Sequence, residues 1–437
     1  MKRTLLVSSI LMASQAFANS GAVNPGSSMT TGPSSNSYSV AAGFNNPAMT
    51  SLLIDKDENV RTSYFPSFGF NLEVGDANNL VDELEELTDL LDDPDSSGLS
   101  TQEALDRFNE LLIKFGEDGY VKNSISLTAP FFPLLIQSDM LGGAVGISVA
   151  ANATAAFSVL DAPLEYSNQN DSFNTATSLY LKSGVEKSVA LTYSRDVPLN
   201  DWFNDKGNLH AGVKLKVMNL ELSKQVIPLE NLESDDISDI IVDEYDQNQV
   251  SSTEFGIDLG LVWDAGDYRL GLTLENLNSP EFEYGAVGVG CSGIDQNSPS
   301  RNACEVAAYF ANETGDIQAK ETHVKDAMFR ADVLYKLTDR WQLTSALDLA
   351  EYNDVIGFEN QWFHAATSYD ADSWIIPSLR FGYHKNLVGS ELSSASVGFT
   401  LFNTLALDIE YGLETIEVDG TKAPRRAGFA LSIEESF

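Results

Sequence analysis

Residues 145–159, VGISVAANATAAFSV, alternate in character for fifteen residues. One row holds Val145, Ile147, Val149, Ala151, Ala153, Ala155, Phe157 and Val159, and the other holds Gly146, Ser148, Ala150, Asn152, Thr154, Ala156 and Ser158. Successive side chains of a strand point to opposite faces, so this is one long strand with an apolar face and a small, polar face. Strands of globular proteins run to about 5–6 residues. A strand this long needs an unusual setting.

The pattern recurs. In TEFGIDLGLVW, Phe255, Ile257, Leu259, Leu261 and Trp263 oppose Glu254, Gly256, Asp258 and Gly260. After the turn DAGD, Tyr268, Leu270, Leu272 and Leu274 oppose Arg269, Gly271, Thr273 and Glu275, which makes a hairpin with one apolar face. Similar rows run through 327–335, 341–349, 379–383 and 405–411. Fourteen segments result: 60–74, 120–130, 143–159, 187–197, 208–224, 251–263, 268–277, 325–336, 340–350, 359–368, 374–385, 391–401, 404–414 and 425–437. A fifteenth candidate lies at 175–182. Closed bacterial barrels use an even count with both termini on the periplasmic side. With fourteen strands the four longest connections, 75–119, 160–186, 225–250 and 278–324, all fall outside, and the short ones, such as 264–267 and 402–403, fall inside. The expected fold class is all-β, a transmembrane antiparallel β-barrel of about fourteen strands with lipid outside and a polar interior.

The N-terminus fits an exported chain. Lys2 and Arg3, the apolar run Leu5–Met12 and Ala16-Phe17-Ala18 have the layout of a signal peptide over residues 1–18. No cysteine follows that site to carry a lipid. The formal net charge is −38, and removal of Lys2 and Arg3 makes it two units more negative. Such a chain repels phosphate backbones, so nucleic acid is excluded as a partner. Cys291 and Cys304 suggest one disulfide in the loop 278–324. Without a C-x-x-C pair, thiol exchange has no support.

Two insertions depart from period two: 76–118, and 233–248, where Ile237, Ile240, Ile241 and Tyr245 suggest a second short helix in a loop. In 76–118, Leu80, Leu84, Leu87 and Leu91, then Leu105, Phe108, Leu112 and Phe115, recur at helical spacing. This reads as an acidic helical hairpin outside the barrel, its second arm opened by Ser100 and Glu103. Asp93, Asp95, Ser97 and Gly98 look like the start of a calcium loop, but Ala104 occupies the place of the closing acid, so no metal site is assigned. Residues 19–38 have the composition of a flexible lead-in. The more apolar SVAAGFNNPAMTSLL, 39–53, precedes the first strand, and folding it into the lumen would hide Phe44, Met49, Leu52 and Leu53 and close the pore. Residues 19–59 are thus read as lead-in and hatch, and 60–437 as barrel.

Asn46-Pro47-Ala48-Met49 ahead of the first strand resembles the N-P-A segment in the hatch of FadL-type transporters of hydrophobic compounds, which are fourteen-stranded barrels. ELSKQVIPLENL at 221–232, DEYDQNQ at 243–249, YRLGLTLENLNSPEFEY at 268–284 and FGYHKNLVGSELS at 381–393 are similar to the subfamily that bears the name of the F-plasmid transfer protein TraF. The resemblance implies an outer-membrane channel for a hydrophobic small molecule, with Phe44, Asn46, Pro47, Ala48 and Met49 as hatch and ligand residues. The alternative is a non-transporting surface or envelope protein acting in conjugal transfer, adhesion or phage contact. A continuous apolar cavity beside the hatch favours the first, a salt-bridged plug the second.

No catalytic residue and no cofactor is assigned. His210 and His384 are phased into the lumen, without a serine and acid that sequence can join to them. The lumen charges Arg269, Arg330, Arg380, Asp258, Asp332 and Asp408 are read as a static network, because unpaired buried charge is costly. In the last segment Phe429, Leu431, Ile433 and Phe437 share an outward row. An aromatic at the strand end suits the membrane interface, and the pattern resembles the signal read by the barrel-assembly machinery. That machinery, outer-membrane lipid and lipopolysaccharide are the expected partners.

Overall fold

The computed structural model describes residues 24–36, 40, 42–54, 60–63, 65–76, 101–167, 172–198, 207–229, 245, 248–296, 298–371, 373–418 and 421–433. Its main sheet is a ring. The wall strands are β1 (Phe68–Val74), β2 (Tyr120–Thr128), β3 (Gly143–Leu160), β4 (Ser178–Val197), β5 (Asn208–Pro228), β6 (Val250–Asp264) and β7 (Tyr268–Glu275). They continue as β8 (Met328–Lys336), β9 (Trp341–Asp348), β10 (Trp362–Tyr369), β11 (Ser378–Asn386), β12 (Ser393–Leu401), β13 (Leu405–Gly412) and β14 (Arg426–Ile433). Each pairs antiparallel with the next, and β14 closes on β1 with Phe70 opposite Phe429. Fourteen strands, in chain order, make an up-and-down barrel without a free edge. Two short strands, Val60–Thr62 and Leu134–Ser138, carry the lines of β1 and β2 further toward the inner end.

Alternation accounts for the wall. On β6 the outward Phe255 and Leu261 are 68% and 40% exposed, whereas the inward Asp258 and Val262 are fully buried. A closed barrel whose outer row is apolar satisfies its backbone within the sheet and offers hydrocarbon to lipid, which is the architecture of an outer-membrane barrel. No helix among the described residues is long and apolar enough to cross a membrane.

Three strands are far longer than a bilayer needs. β3, β4 and β5 have 18, 20 and 21 residues, against roughly 9–11 for a crossing. Their excess lies at the outer end, forming a high wall on one side. The sequence reading placed 160–186 in a loop with a doubtful strand at 175–182. That candidate is the first part of β4, which starts at Ser178 and pairs with both β3 and β5. The even count stands because the two pieces are one strand.

Thr101–Asp118 is a helix at the outer end, while the first arm expected for that insertion lies outside the described residues. So do residues 1–23, which include the expected signal peptide, most of the 233–248 segment, and Glu434–Phe437 with the terminal aromatic.

Candidate functional site

The N-terminal segment occupies the lumen. Asn46 opens a short 3-10 turn, Pro47–Ser51, its side-chain oxygen accepting from the Ala48 amide at 3.0 Å, with proline at the position where no amide hydrogen is needed. The same side chain donates to the carbonyls of Leu261 on β6 and Leu272 on β7 at 3.3 and 3.4 Å. Glycine on the wall permits this approach. A Cβ at Gly260 would lie 2.1 Å from Asn46 Oδ1, and one at Gly212 would lie 2.4 Å from the carbonyl carbon of Pro47. Below the turn, Val40, Met49, Leu53 and Ile54 pack on Leu135, Ala144 and Val262 as an apolar stopper. Ser51 Oγ is 2.8 Å from Ser194 Oγ and 3.0 Å from His210 Nδ1.

Residues 24–36 are also inside the barrel, where composition suggested a mobile lead-in. Ser35 donates its amide and hydroxyl to Asp332 at 2.7 and 3.0 Å, Arg269 donates to the Ser35 carbonyl at 3.1 Å, and Thr344 donates to that of Thr31 at 3.3 Å. Small polar residues suit this place because the inner wall is itself polar and each buried group needs a partner.

The outer end carries a second stopper. In the loop between β7 and β8, Glu281–Glu283 pairs with Thr322–Val324. A helix at Pro299–Tyr309 is tied by the Cys291–Cys304 disulfide to the turn before it. Phe310, Val287, Ala307 and Ile317 of this loop pack on Leu160 and Val226 of the high wall. Deeper, Phe282 and Tyr284, with Val355 and Ile356 of the loop after β9, cover Met218, Leu220 and Leu222. The apolar residues Met218, Leu220 and Leu222 point inward only where this lid covers them. We call the two loops the lid.

Between hatch and lid lies a chamber of about 190 Å³. Phe44 and Asn45 border it on the hatch side and Asp354 and Val355 on the lid side, and its wall is polar. Apart from Asp326, its charged groups are bound to one another. Lys214 and Lys216 share Asp258 at 3.1 and 2.9 Å, Lys325 pairs with Glu186, Arg330 holds Asp348 at 2.7 Å and Glu275 at 3.3 Å, and Asp354 takes Lys122 at 2.6 Å. A second cavity of about 60 Å³ lies toward the inner end, bordered by Ser27, Thr31, Asn36, Gln342, Asp370 and Arg380.

Most of the lumen charges singled out in the sequence belong to such networks. Arg380 reaches Asp408 at 2.8 Å across β12, over Gly398, where a Cβ would be 2.0 Å from the Asp408 carboxylate. Sequence reading missed Arg426, which bridges Glu73 and Glu410 at 2.7 Å each, and the wall-to-lid pairs Lys122–Asp354 and Lys182–Glu321, both at 2.6 Å. Lys214 with Asp258 and Arg330 with Asp348 are register partners on adjacent strands, so correct pairing of the segments would have found them.

Of the five hatch residues, Phe44 alone borders the chamber, while Asn46, Pro47, Ala48 and Met49 are packed into the wall contact. Phe429 and Leu431 face outward, Phe429 stacking near Phe68 and Phe70, and Ile433 lies opposite Leu405. His384 Nε2 is 2.9 Å from Ser396 Oγ, but its Nδ1 faces His364 at 2.5 Å and no acid, so this group lacks the third member of a hydrolytic triad.

A family model described as "F plasmid transfer operon, TraF, protein" matches residues 43–348. No curated protein matches the chain. Among solved structures, the Pseudomonas putida toluene transporter TodX is 13% identical with a TM-score of 0.40, covering 97% of this chain and 100% of its own. The "TodX monoaromatic hydrocarbon channel deltaS2 mutant" is 12% identical with a TM-score of 0.44, covering 95% and 99%. A Pseudomonas aeruginosa FadL homologue is 10% identical with a TM-score of 0.37, covering 96% and 97%. Likeness at this level supports no inference about activity.

Proposed function

The chain belongs to the family of the F plasmid transfer operon protein TraF, and on that premise we propose that it is a gated outer-membrane channel whose gate is the N-terminal segment 24–54. One observation carries this reading. Ser28 borders the chamber, while Thr31 of the same short helix and Ser27, its N-cap, border the inner cavity. The helix Ser28–Thr31 is the partition between two spaces, and its displacement would join them. Its ties are hydrogen bonds worth about 1 kcal/mol each net and the packing of Met29 on Ala430, so differential affinity of a partner or ligand can move it.

The polar lining favours small polar solutes. A hydrophobic cargo, suggested by the hatch sequence, would find apolar surface only after Met49, Leu53 and Ile54 had left Leu135 and Val262. Deletion of residues 24–36 should raise the swelling rate of proteoliposomes in glycerol several-fold, with heat-modifiable mobility retained as proof of a folded barrel. A folded deletion variant that swells like the intact protein would overturn the channel reading.

A second reading has its own support in the salt-bridged lumen and in the family description: a closed envelope protein of plasmid transfer. Trimming residues 78–117 would then depress mating without altering permeation. Mating at the level of the intact protein would count against it.

A further inference from the structure

The chamber's charge balance is one-sided. Every lysine and arginine on its lining is consumed: Lys214 and Lys216 by Asp258, Lys325 by Glu186, and Arg330 by Asp348 and Glu275. What remains is one carboxylate. Asp326 borders the same space and makes no ion pair or hydrogen bond among the described residues. It lies at the outer end of the barrel, two residues before Met328, which faces Glu275 in the β7–β8 register.

We propose that the chamber is a binding site for a small organic cation, its ammonium group held by the Asp326 carboxylate. An anion would meet no free donor of positive charge. A neutral guest would leave the Asp326 charge uncompensated in a confined space, which is unfavourable. Phe44 and Tyr352 on the lining offer ring surface to the guest's carbon skeleton or charge. The net charge of −38 raises the concentration of cations near the outer mouth. At about 190 Å³ the space is below the roughly 300 Å³ at which drug-sized pockets begin, so the guest is small.

This inference rests on the chamber described above and on nothing about its use as a route. The test is calorimetric titration of the full-length protein in detergent micelles with three molecules of similar size: ethanolamine, ethylene glycol and glycolate. Saturable one-to-one binding of ethanolamine is expected, at least ten-fold tighter than ethylene glycol, with no heat from glycolate. Asp326→Asn should weaken ethanolamine at least ten-fold. Equal binding of ethanolamine and ethylene glycol, absence of ethanolamine binding, or an unchanged affinity in Asp326→Asn would overturn the proposal. Should the variant fail to fold, the three-ligand comparison on the unaltered protein still decides. If ethanolamine binds as stated while deletion of 24–36 leaves permeation unchanged, the site stands and the channel falls. If permeation rises without cation preference, the reverse holds.

Discussion

Lys122 of β2 and Asp354 of the lid form a buried ion pair at 2.6 Å, and the other oxygen of Asp354 accepts from the amides of Ile356 and Phe358 at 3.1 and 2.9 Å. One carboxylate thus shapes the loop after β9 and fastens it to the wall. Removing the lysine strands a buried charge, a change that typically costs about 3–5 kcal/mol. In Lys122→Met the loop 349–361 should become sensitive to protease and exchange its amides faster, while heat-modifiable mobility of the barrel persists. A protected loop in that variant would mean that the pair contributes little.

The hatch depends on missing side chains. Because a Cβ at Gly260 would collide with Asn46 at 2.1 Å, Gly260→Ala should push the hatch off β6 and raise solute leakage several-fold. Gly293→Ala, where nothing lies within 4 Å, is the matched control. Equal leakage from the two would show that the hatch tolerates the intrusion.

Acid should loosen the lid through His323. Burial holds this imidazole down to about 4 from its ordinary 6.5. A group whose folded pKa is depressed in this way is neutral in the fold, and the unfolded chain takes up the proton first as pH falls below 6.5. Lid stability is therefore full well above pH 6.5 and declines toward pH 4.5, by at most about 2.5 kcal/mol. Amide exchange in 281–324, measured between pH 7.5 and 4.5 after correction for intrinsic rates, should accelerate, and His323→Gln should flatten that response across the same window.

The outward row of β6 should be sensitive only where lipid touches it. Leu259→Arg, at the middle of the strand, is expected to cost about 2–4 kcal/mol and to lower the yield of assembled barrel. Thr253→Arg, in the same row but on the high wall beyond the bilayer, should leave the yield near that of the unaltered chain. Densitometry of heat-modifiable bands compares the two directly.

These particulars also show what could be read beforehand. Lipid imposes period two on every strand it touches, so Phe255, Ile257, Leu259 and Leu261 announced β6, and the even strand count followed. The first turns of β4 escaped notice because they stand above the bilayer. There the outward row carries Ser183 and Lys187, which lipid would not have allowed. Asn46 and Pro47 drew notice only through their resemblance to the hatch of FadL-type barrels, and in the structure one caps a short turn and the other starts it. Residues 24–36 were not, because serines and threonines that match a polar lumen have the same composition as a linker in water. The wall-to-lid pair Lys182–Glu321 joins residues far apart in sequence through the position of the lid on the high wall, which no local pattern records.

The gate itself can be locked. Ser51 of the hatch and Ser194 of β4 have their hydroxyl oxygens 2.8 Å apart, so Ser51→Cys/Ser194→Cys places two thiols within reach of a disulfide. The decisive measurement is single-channel conductance in planar bilayers, with the unaltered protein under the same oxidant and reductant as reference. Rare openings in the unaltered protein, their loss in the oxidised double variant and their return on reduction are predicted. Openings that persist with the hatch locked, or a barrel that never opens, would contradict a channel gated by its N-terminal segment.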